Sequence, residues 1–320
     1  MPLRTPTVLV LGGGPDAERE VSLKSSAAIA AALEKSGRFK VRYEVINRPG
    51  SLELRAMEAD VVFPALHGKW GEGGGLQQLL EADGRPFVGC GSRAARTCMD
   101  KVLTKSYAAQ SGMRVTPTMI LEPGDDSLPL DLPVVVKPIF EGSTIGLYVC
   151  RTEVEWKAAH KASVASGKPC MVEPFVKGRE LTLGMVPNEP VRKNCGLRAL
   201  PVIQITPAQG LYDYEAKYNR DDTKYLVGPP LQAGVNEHLA SATRMLSELI
   251  ASKHGGVRHL CRADFILDDE GRAWFLELNT MPGFTDHSLV PMAARTIGLD
   301  MPALCALLVE AALADAGLPK

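Results

Sequence analysis

The sequence predicts an α/β protein of three units: an N-terminal α/β domain on a parallel sheet (residues 1–98), a small central α+β domain (99–183) and a C-terminal α+β domain (184–320). Three observations predict it. From Thr7 to about Val88, short apolar strands alternate with helical segments, the pattern of parallel strands with helices on their faces. A connection rich in Pro, Gly and Asp, Pro117 to Pro133, then interrupts the chain, and beyond it strands dominate. Finally, Arg262 to Asn279 reads as a β-hairpin with one polar and one apolar face.

The first unit should hold strand Val8–Leu11, a helix from about Glu20 to Ser36, strands Val41–Ile46 and Val61–Leu66, and a helix near Leu76–Ala82. A helix from Met99 to Ser111 leads into the second unit, where strands Val134–Lys137, Leu147–Cys150, Met171–Val176 and Glu180–Met185 surround a helix at about Glu153–Ala165. The third unit begins near Pro201 with a tyrosine-rich loop, followed by a helix at about Val235–His254, the hairpin and C-terminal helices.

With 320 residues, 45% of them hydrophobic, the chain has material for two or three cores. The net charge of −1 and the lack of a Lys/Arg stripe argue against nucleic acid and anionic membrane surfaces as partners. Val8–Leu11 is too short for a signal-peptide core, and no segment approaches the ~20 apolar residues that span a bilayer. The seven cysteines are scattered and never form a C-x-x-C pair, so neither a disulfide framework nor a zinc knuckle is expected, and a reducing cytoplasm fits.

If the hairpin turns at the two residues Glu270-Gly271, Asp264 lies opposite Glu277 and Arg262 opposite Asn279. Alternation then puts these four on one face and Ala263, Phe265, Leu276 and Leu278 on the other. Two carboxylates and an amide oxygen form a hard-oxygen set suited to Mg²⁺ or Mn²⁺. The same face also fits a solvated ladder of ion pairs.

Other motifs each admit two readings. Gly12-Gly13-Gly14-Pro15-Asp16-Ala17 formally matches the dinucleotide pattern, but Asp16 and Glu18 crowd the helix start where a pyrophosphate would sit. An acidic helix start suits a substrate ammonium near Glu18, or simply complements the helix dipole. Lys137 ends a buried strand and is followed by the small-residue loop Glu141 to Gly146, which could close over phosphates or form a plain turn. Glu173, Phe175, Val176 and Glu180 could surround a nucleoside or belong to an ordinary strand–turn–strand. Tyr212 to Tyr218 is a loop dense in phenols and charge, and loops carry function more often than packing. Ser288 is a suitable helix N-cap, and a helix start with a serine also suits a carboxylate. His67 ends a strand at the sheet's C-terminal edge, where open α/β sheets bind ligands.

Taken together and in order, these pieces resemble the ATP-grasp superfamily and, within it, the D-alanine:D-alanine ligase family. The resemblance rests on Glu18-Arg-Glu-Val-Ser22-Leu, His67-Gly-x-x-Gly-Glu72, Met99-Asp-Lys101, Val136-Lys137-Pro with Glu141-Gly-Ser143, and Tyr212 to Tyr218. It continues through Arg262-x-Asp264, Glu277-x-Asn279-Thr-x-Pro-Gly283 and His287-Ser288-Leu289, and so spans nearly the whole chain. It implies the three-domain ATP-grasp fold and ATP-dependent ligation of two D-alanines for peptidoglycan synthesis, by a cytoplasmic homodimer. By the same resemblance Lys101, Lys137 and Lys217 would hold ATP phosphates, with Glu173, Phe175, Val176 and Glu180 about the nucleoside. Asp264, Glu277 and Asn279 would carry two Mg²⁺ (or Mn²⁺) ions. Glu18, Ser143 and Tyr218 would form a hydrogen-bonded set at the first D-alanine, near His67, with Ser288 and Leu289 at the second substrate's carboxylate. Arg262 and the Gly283 N–H would stabilise an oxyanion. Two departures stand out: Glu72 is followed by three glycines and then Gln77-Gln78, and Thr144 replaces a usual serine. Tyr218 matches the dipeptide-forming members. The alternatives are a ligase for another D-amino acid or D-hydroxy acid pair, and a catalytically silent nucleotide-binding relative.

Overall fold

The computed structural model describes residues 4–317, apart from 125–126, 189–195, 211, 213, 219, 255 and 286 and the side chains of 214, 218 and 251–254. The N-terminal part runs β1 (Thr7–Gly13), α1 (Arg19–Ser36), β2 (Lys40–Ile46), α2 (Ser51–Ala56), β3 (Val61–Pro64), α3 (Gly68–Gly71) and α4 (Gly75–Asp83). Its strands pair in parallel in the order β2-β1-β3. Successive residues of β1 face opposite ways into two cores: Val8 and Val10 pack with α1, Leu9 and Leu11 with α2 and α4. That is why the strand reads as an unbroken apolar run.

Helices α5 (Ser92–Met99) and α6 (Lys101–Gln110) come next. The sequence predicts one helix from Met99; the chain instead breaks at Asp100, whose extended backbone and carboxylate cap α6 through the Leu103 N–H at 2.9 Å. An aspartate at that position is a better helix start than helix interior, and it places Lys101 in the first turn.

The central sheet is antiparallel, in the order β4-β7-β5-β6, from β4 (Met119–Ile120), β5 (Val134–Pro138), β6 (Tyr148–Cys150) and β7 (Cys170–Pro174). Helix α7 (Glu153–Ala165) covers it with the buried Trp156 and opens on the reciprocal Thr152/Glu155 capping box.

The C-terminal part holds β8 (Arg179–Pro187), β9 (Leu197–Ala199), β10 (Ile203–Thr206), α8 (Tyr214–Tyr218), β11 (Lys224–Val227), α9 (Val235–His254), β12 (Cys261–Leu267), β13 (Ala273–Asn279), α10 (Leu289–Thr296) and α11 (Met301–Asp315). The sheet order is β11-β10-β8-β12-β13, with β9 also on β8. β8 begins at Arg179, ahead of the 183/184 division expected from sequence. Residues of α5 and α6, Ala94, Ala95, Cys98 and Ala108, share a core with α9 and the hairpin's Phe265 and Phe275. Helix α11 is buried from Leu304 to Leu313 and packs in one core with β1, β3 and α1, so the end of the chain completes the N-terminal unit. A helix apolar on every side is a buried helix. Among the described residues, no single helix is long and apolar enough to cross a membrane.

Candidate active site

The hairpin holds the register expected near its open end: Arg262 pairs with Asn279, Ala263 with Leu278 and Asp264 with Glu277. Its turn differs. A bulge after Asp264 shifts the pairing, so Phe265 faces Phe275, and the loop is Asp269-Glu270-Gly271 rather than two residues. Asp268 selects that loop by accepting the N–H groups of Glu270 (3.1 Å) and Arg272 (2.8 Å), and Gly271 supplies the left-handed residue with φ 79°. Phe265 and Phe275 then meet edge to face in the core at 5.9 Å. The extra residue is Leu276. Placed on the apolar face by strict alternation, it instead lines the cleft beside Asp264 and Glu277. Bulges re-aim side chains in this way.

Asp264, Glu277 and Asn279 therefore share the polar face. Arg262 grips Asp264 (Nε–Oδ1 2.9 Å, Nη2–Oδ2 2.7 Å) and Lys101 reaches Glu277 at 3.2 Å, so the ion-pair ladder and the hard-oxygen set are the same residues. Burial by itself would raise the Glu277 carboxyl, but Lys101, Lys217, Arg262 and Lys137 together hold it down to about 2. Asn279 Oδ1 accepts the Met281 N–H at 2.8 Å, which aims the amide. Among the described residues no cluster of three His, Cys, Asp or Glu forms a metal site, and the oxygen-only set of two carboxylates and an amide fits a hard divalent ion.

On one side of this face opens a cleft of ≈ 990 Å³ between the central and C-terminal sheets, lined by Lys101, Lys137, Glu173, Phe175, Val176, Glu180, Lys217 and Leu276. All the nucleotide-site residues expected from sequence meet here. One arrangement differs from the expectation. The Glu173 carboxylate is fully engaged inside the wall: Oε1 accepts from Lys137, and Oε2 from Lys105 (2.6 Å) and Thr116 (2.8 Å). Burial would raise Glu173, but Lys137 and Lys105 hold it at about 2. Burial pushes Glu180 up to about 7, Lys217 opposing.

On the other side lies a pocket of ≈ 660 Å³ lined by His67, Glu72, Ser143, Arg262, Gly283, Ser288 and Leu289. Glu18, 3% exposed, bonds Ser143; burial raises its carboxyl. His67 pairs through Nε2 with Ser25 Oγ at 3.2 Å, and burial with nearby Arg262 lowers it to about 4, so the ring is neutral at neutral pH. Ser288 occupies the N-cap position of α10 but does not cap it: its Oγ turns back to accept the Thr285 N–H at 2.8 Å. No side chain caps the first turn of α10, and Ser288 and Leu289 both line the pocket. At Gly283 a Cβ would stand 2.9 Å from Ser288 Oγ, so only glycine leaves this loop its close approach. The Tyr218 side chain lies outside the described residues.

Two loops meet over the junction. Ser143 and Thr144 both have positive φ, 53° and 62°, a conformation costly for residues with a Cβ. Thr144 holds it by donating to the Tyr212 carbonyl at 3.0 Å and accepting from Lys217 at 3.3 Å. The hydroxyl is what this contact uses, so the serine-to-threonine departure keeps its chemistry. The glycine run after Glu72 is stitched as well: Gln77 accepts from Gly74 N–H (3.0 Å) and donates to Gly71 O (2.8 Å). A Cβ on Gly73, Gly74 or Gly75 would come within 2.3–2.6 Å of Lys69, Arg96 or Trp70. Asp16 crosses to the Trp70 and Gly71 N–H groups, and a Cβ on Gly12 would meet Ser26 Oγ at 2.0 Å. The first glycine run thus serves packing of α1 on β1, and the Asp16 carboxylate is spent on the Trp70 and Gly71 N–H groups.

Sequence reasoning singles out Glu72 within the His67-Gly-x-x-Gly-Glu72 motif without giving it a role, and it misses Lys105. Lys105 has a signal: it lies four residues after Lys101, on the same helical face.

The family profile "D-ala D-ala ligase N-terminus" matches residues 47–90 and "D-ala D-ala ligase C-terminus" matches 125–310. A D-alanine–D-alanine ligase of Chromohalobacter salexigens is 40% identical over 301 residues, 93% of this chain and 91% of that protein. The chain belongs to the D-alanine–D-alanine ligase family. A second family member, from Dechloromonas aromatica, is 37% identical over 313 residues, 96% of this chain and 98% of its own. The crystal structure of D-alanine–D-alanine ligase from Bacillus anthracis complexed with ATP shares the fold at TM-score 0.79 and 25% identity, over 97% of this chain and 98% of that one. The C-terminal family match spans the site from Lys137 to Leu289, whereas Glu18 and Lys101 lie outside both matched segments.

Proposed function

We propose that this chain joins two molecules of D-alanine into D-alanyl-D-alanine at the expense of ATP, a step of peptidoglycan precursor synthesis. One observation carries the reading: Glu277 lines both the nucleotide cleft and the amino-acid pocket, so a phosphate from one side and a carboxylate from the other meet at one charged face. The relatives' names and the ATP complex of the Bacillus anthracis enzyme support it.

In this reading the first D-alanine puts its ammonium by Glu18 and its carboxylate toward Arg262. The carboxylate attacks the γ-phosphorus, ADP leaves, and an acyl phosphate results. Lys101, Lys137 and Lys217 offset the transferring charge. Asp264, Glu277 and Asn279 would hold two Mg²⁺ (or Mn²⁺), which supply further positive charge at the phosphates. The second D-alanine, its carboxylate at Ser288 and the Leu289 N–H, attacks the activated carbonyl through its amine. Arg262 and the Gly283 N–H receive the oxyanion, and phosphate departs. The Ser143 loop and the Tyr212–Lys224 loop would close as lids and exclude the water that would hydrolyse the acyl phosphate. By the family resemblance, Tyr218 would join Glu18 and Ser143 at the first D-alanine. The units 1–98, 99–183 and 184–320 divide the labour into amino acid, nucleotide and metal with second substrate, in a cytoplasmic homodimer.

The test is phosphate release from MgATP with D-alanine, with L-alanine, or with D-alanine plus D-lactate, products being identified by mass. Turnover on D-alanine alone with a dipeptide product is expected, and Glu277→Gln should lower it more than about 100-fold without unfolding the chain. An ester product from D-lactate in preference to the dipeptide would move the reading to a different ligase, and no turnover with any mixture would reject it.

A further inference from the structure

The wall of the nucleotide cleft holds two ammonium groups against one carboxylate. Lys105 is 3% exposed and does not line the cleft; its three protons go to Thr116 Oγ1 (2.7 Å), Thr118 Oγ1 (2.9 Å) and Glu173 Oε2 (2.6 Å). Lys137 does line the cleft, and it bonds the other oxygen, Oε1. These two lysines differ in their anchoring. Lys105, on α6, is held at three points, by Thr116 and Thr118 of the segment before β4 and by Glu173 on β7, whereas Lys137 is held in the wall by Glu173.

A lysine that meets a phosphate must leave its resting partner. Leaving a buried carboxylate without any counter-ion is costly, because an uncompensated charge in a low-dielectric wall loses both its water and its partner. Here the carboxylate never stands alone. We infer that Lys105 is a positioning residue of the nucleotide site: it remains on Glu173 as a standing counter-ion and so allows Lys137 to exchange Glu173 for a nucleotide phosphate. The net positive charge of the trio then goes to the phosphate, while Thr116 and Lys105 keep Glu173 fixed against the base. This inference rests on the nucleotide reading of the cleft.

The test compares binding of MgADP and of adenosine by calorimetry in the wild type, Lys105→Met, Glu173→Gln and the double variant. Adenosine has no phosphate and asks nothing of Lys137. In Lys105→Met, MgADP should weaken at least about tenfold and adenosine less than about twofold. The KM for the amino acid should hold. With Glu173 neutral, Lys105 has no charge to balance, so the double variant should bind MgADP within about threefold of Glu173→Gln alone. Equal losses for MgADP and adenosine would assign Lys105 a purely structural role and overturn the inference, as would no loss for either. If Lys105→Met does not fold, the pair with Glu173→Gln decides alone, and a further tenfold loss in the double variant overturns it. A wild type that binds no MgADP would instead remove the nucleotide reading itself.

Discussion

Glu173 and Glu72 are buried to nearly the same degree, 5% and 7% exposed, on the two sides of one site, and they end in opposite protonation states. Glu173 sits between Lys137 and Lys105, which overcome the effect of burial and hold it at about 2. Glu72 accepts the Gly68 N–H at 3.1 Å, and that bond is outweighed: burial and the neighbouring carboxylates of Glu18 and Glu277 push it up to about 8. The same side chain is thus held as an anion in the wall of the larger cleft and pushed toward the neutral acid beside the smaller pocket. Burial sets the stakes, and the sign of the neighbours decides the outcome.

Removing the anion tests this contrast most severely. Glu173→Leu leaves Lys105 and Lys137 buried without their counter-ion and should cost about 3–5 kcal/mol in denaturant unfolding. A loss below about 1 kcal/mol would mean that the wall is wet and that the contrast with Glu72 is one of exposure.

A second, smaller effect is in pH dependence, where the two glutamates should act in opposite directions. Between pH 4.5 and about 8 the folded chain keeps a proton on Glu72 that the unfolded chain has lost, so this residue makes stability fall as pH rises through that window. Glu173 has a folded value of about 2 against 4.5, so its contribution is present above 4.5 and is lost as pH falls toward 2. Melting curves of Glu72→Gln against wild type should therefore diverge in the variant's favour from pH 5 to 8, and those of Glu173→Gln should converge on wild type as the solution is acidified. Parallel curves for Glu72→Gln would show that its carboxyl is ionised and paired.

The weakest signal is spectroscopic. His67, on the Glu72 side, should titrate near 4 in the NMR shifts of its ring, with no midpoint at 6.5 and little change in fold. A midpoint at 6.5 would mean that the pocket opens to water around both residues.

Much of this site is legible in the sequence because its signals are local. Alternation along β12 and β13 is enough to place Arg262, Asp264, Glu277 and Asn279 together, and the structure pairs them in that register. The same rule misplaces Leu276, because the bulge answers to Phe265 and Phe275 packing in the core and to Asp268 binding the turn, and alternation carries neither. Ser288 reads correctly as the residue that starts α10, but its hydroxyl faces Thr285 instead of the helix, a choice made by the loop from Met281 onward. Glu173 belongs to the cleft its motif suggests; its partner Lys105 is 68 positions away, and no pattern in the strand points to it.

Consecutive residues thus specify the elements that depend on neighbours a few positions apart: the alternating first unit, α7 with its capping box, α9, and the open end of the hairpin. They also carry the order of motifs by which the chain resembles its family. Only the folded chain settles that apolar α11 closes the N-terminal core, that α5 and α6 pack on the C-terminal sheet, and that Glu72 has carboxylates for neighbours, which raise it, while Glu173 has two lysines, which lower it. Secondary structure obeys short-range backbone and packing preferences written in adjacent residues. A buried group's charge depends on whichever distant side chains the fold brings within a few ångströms of it.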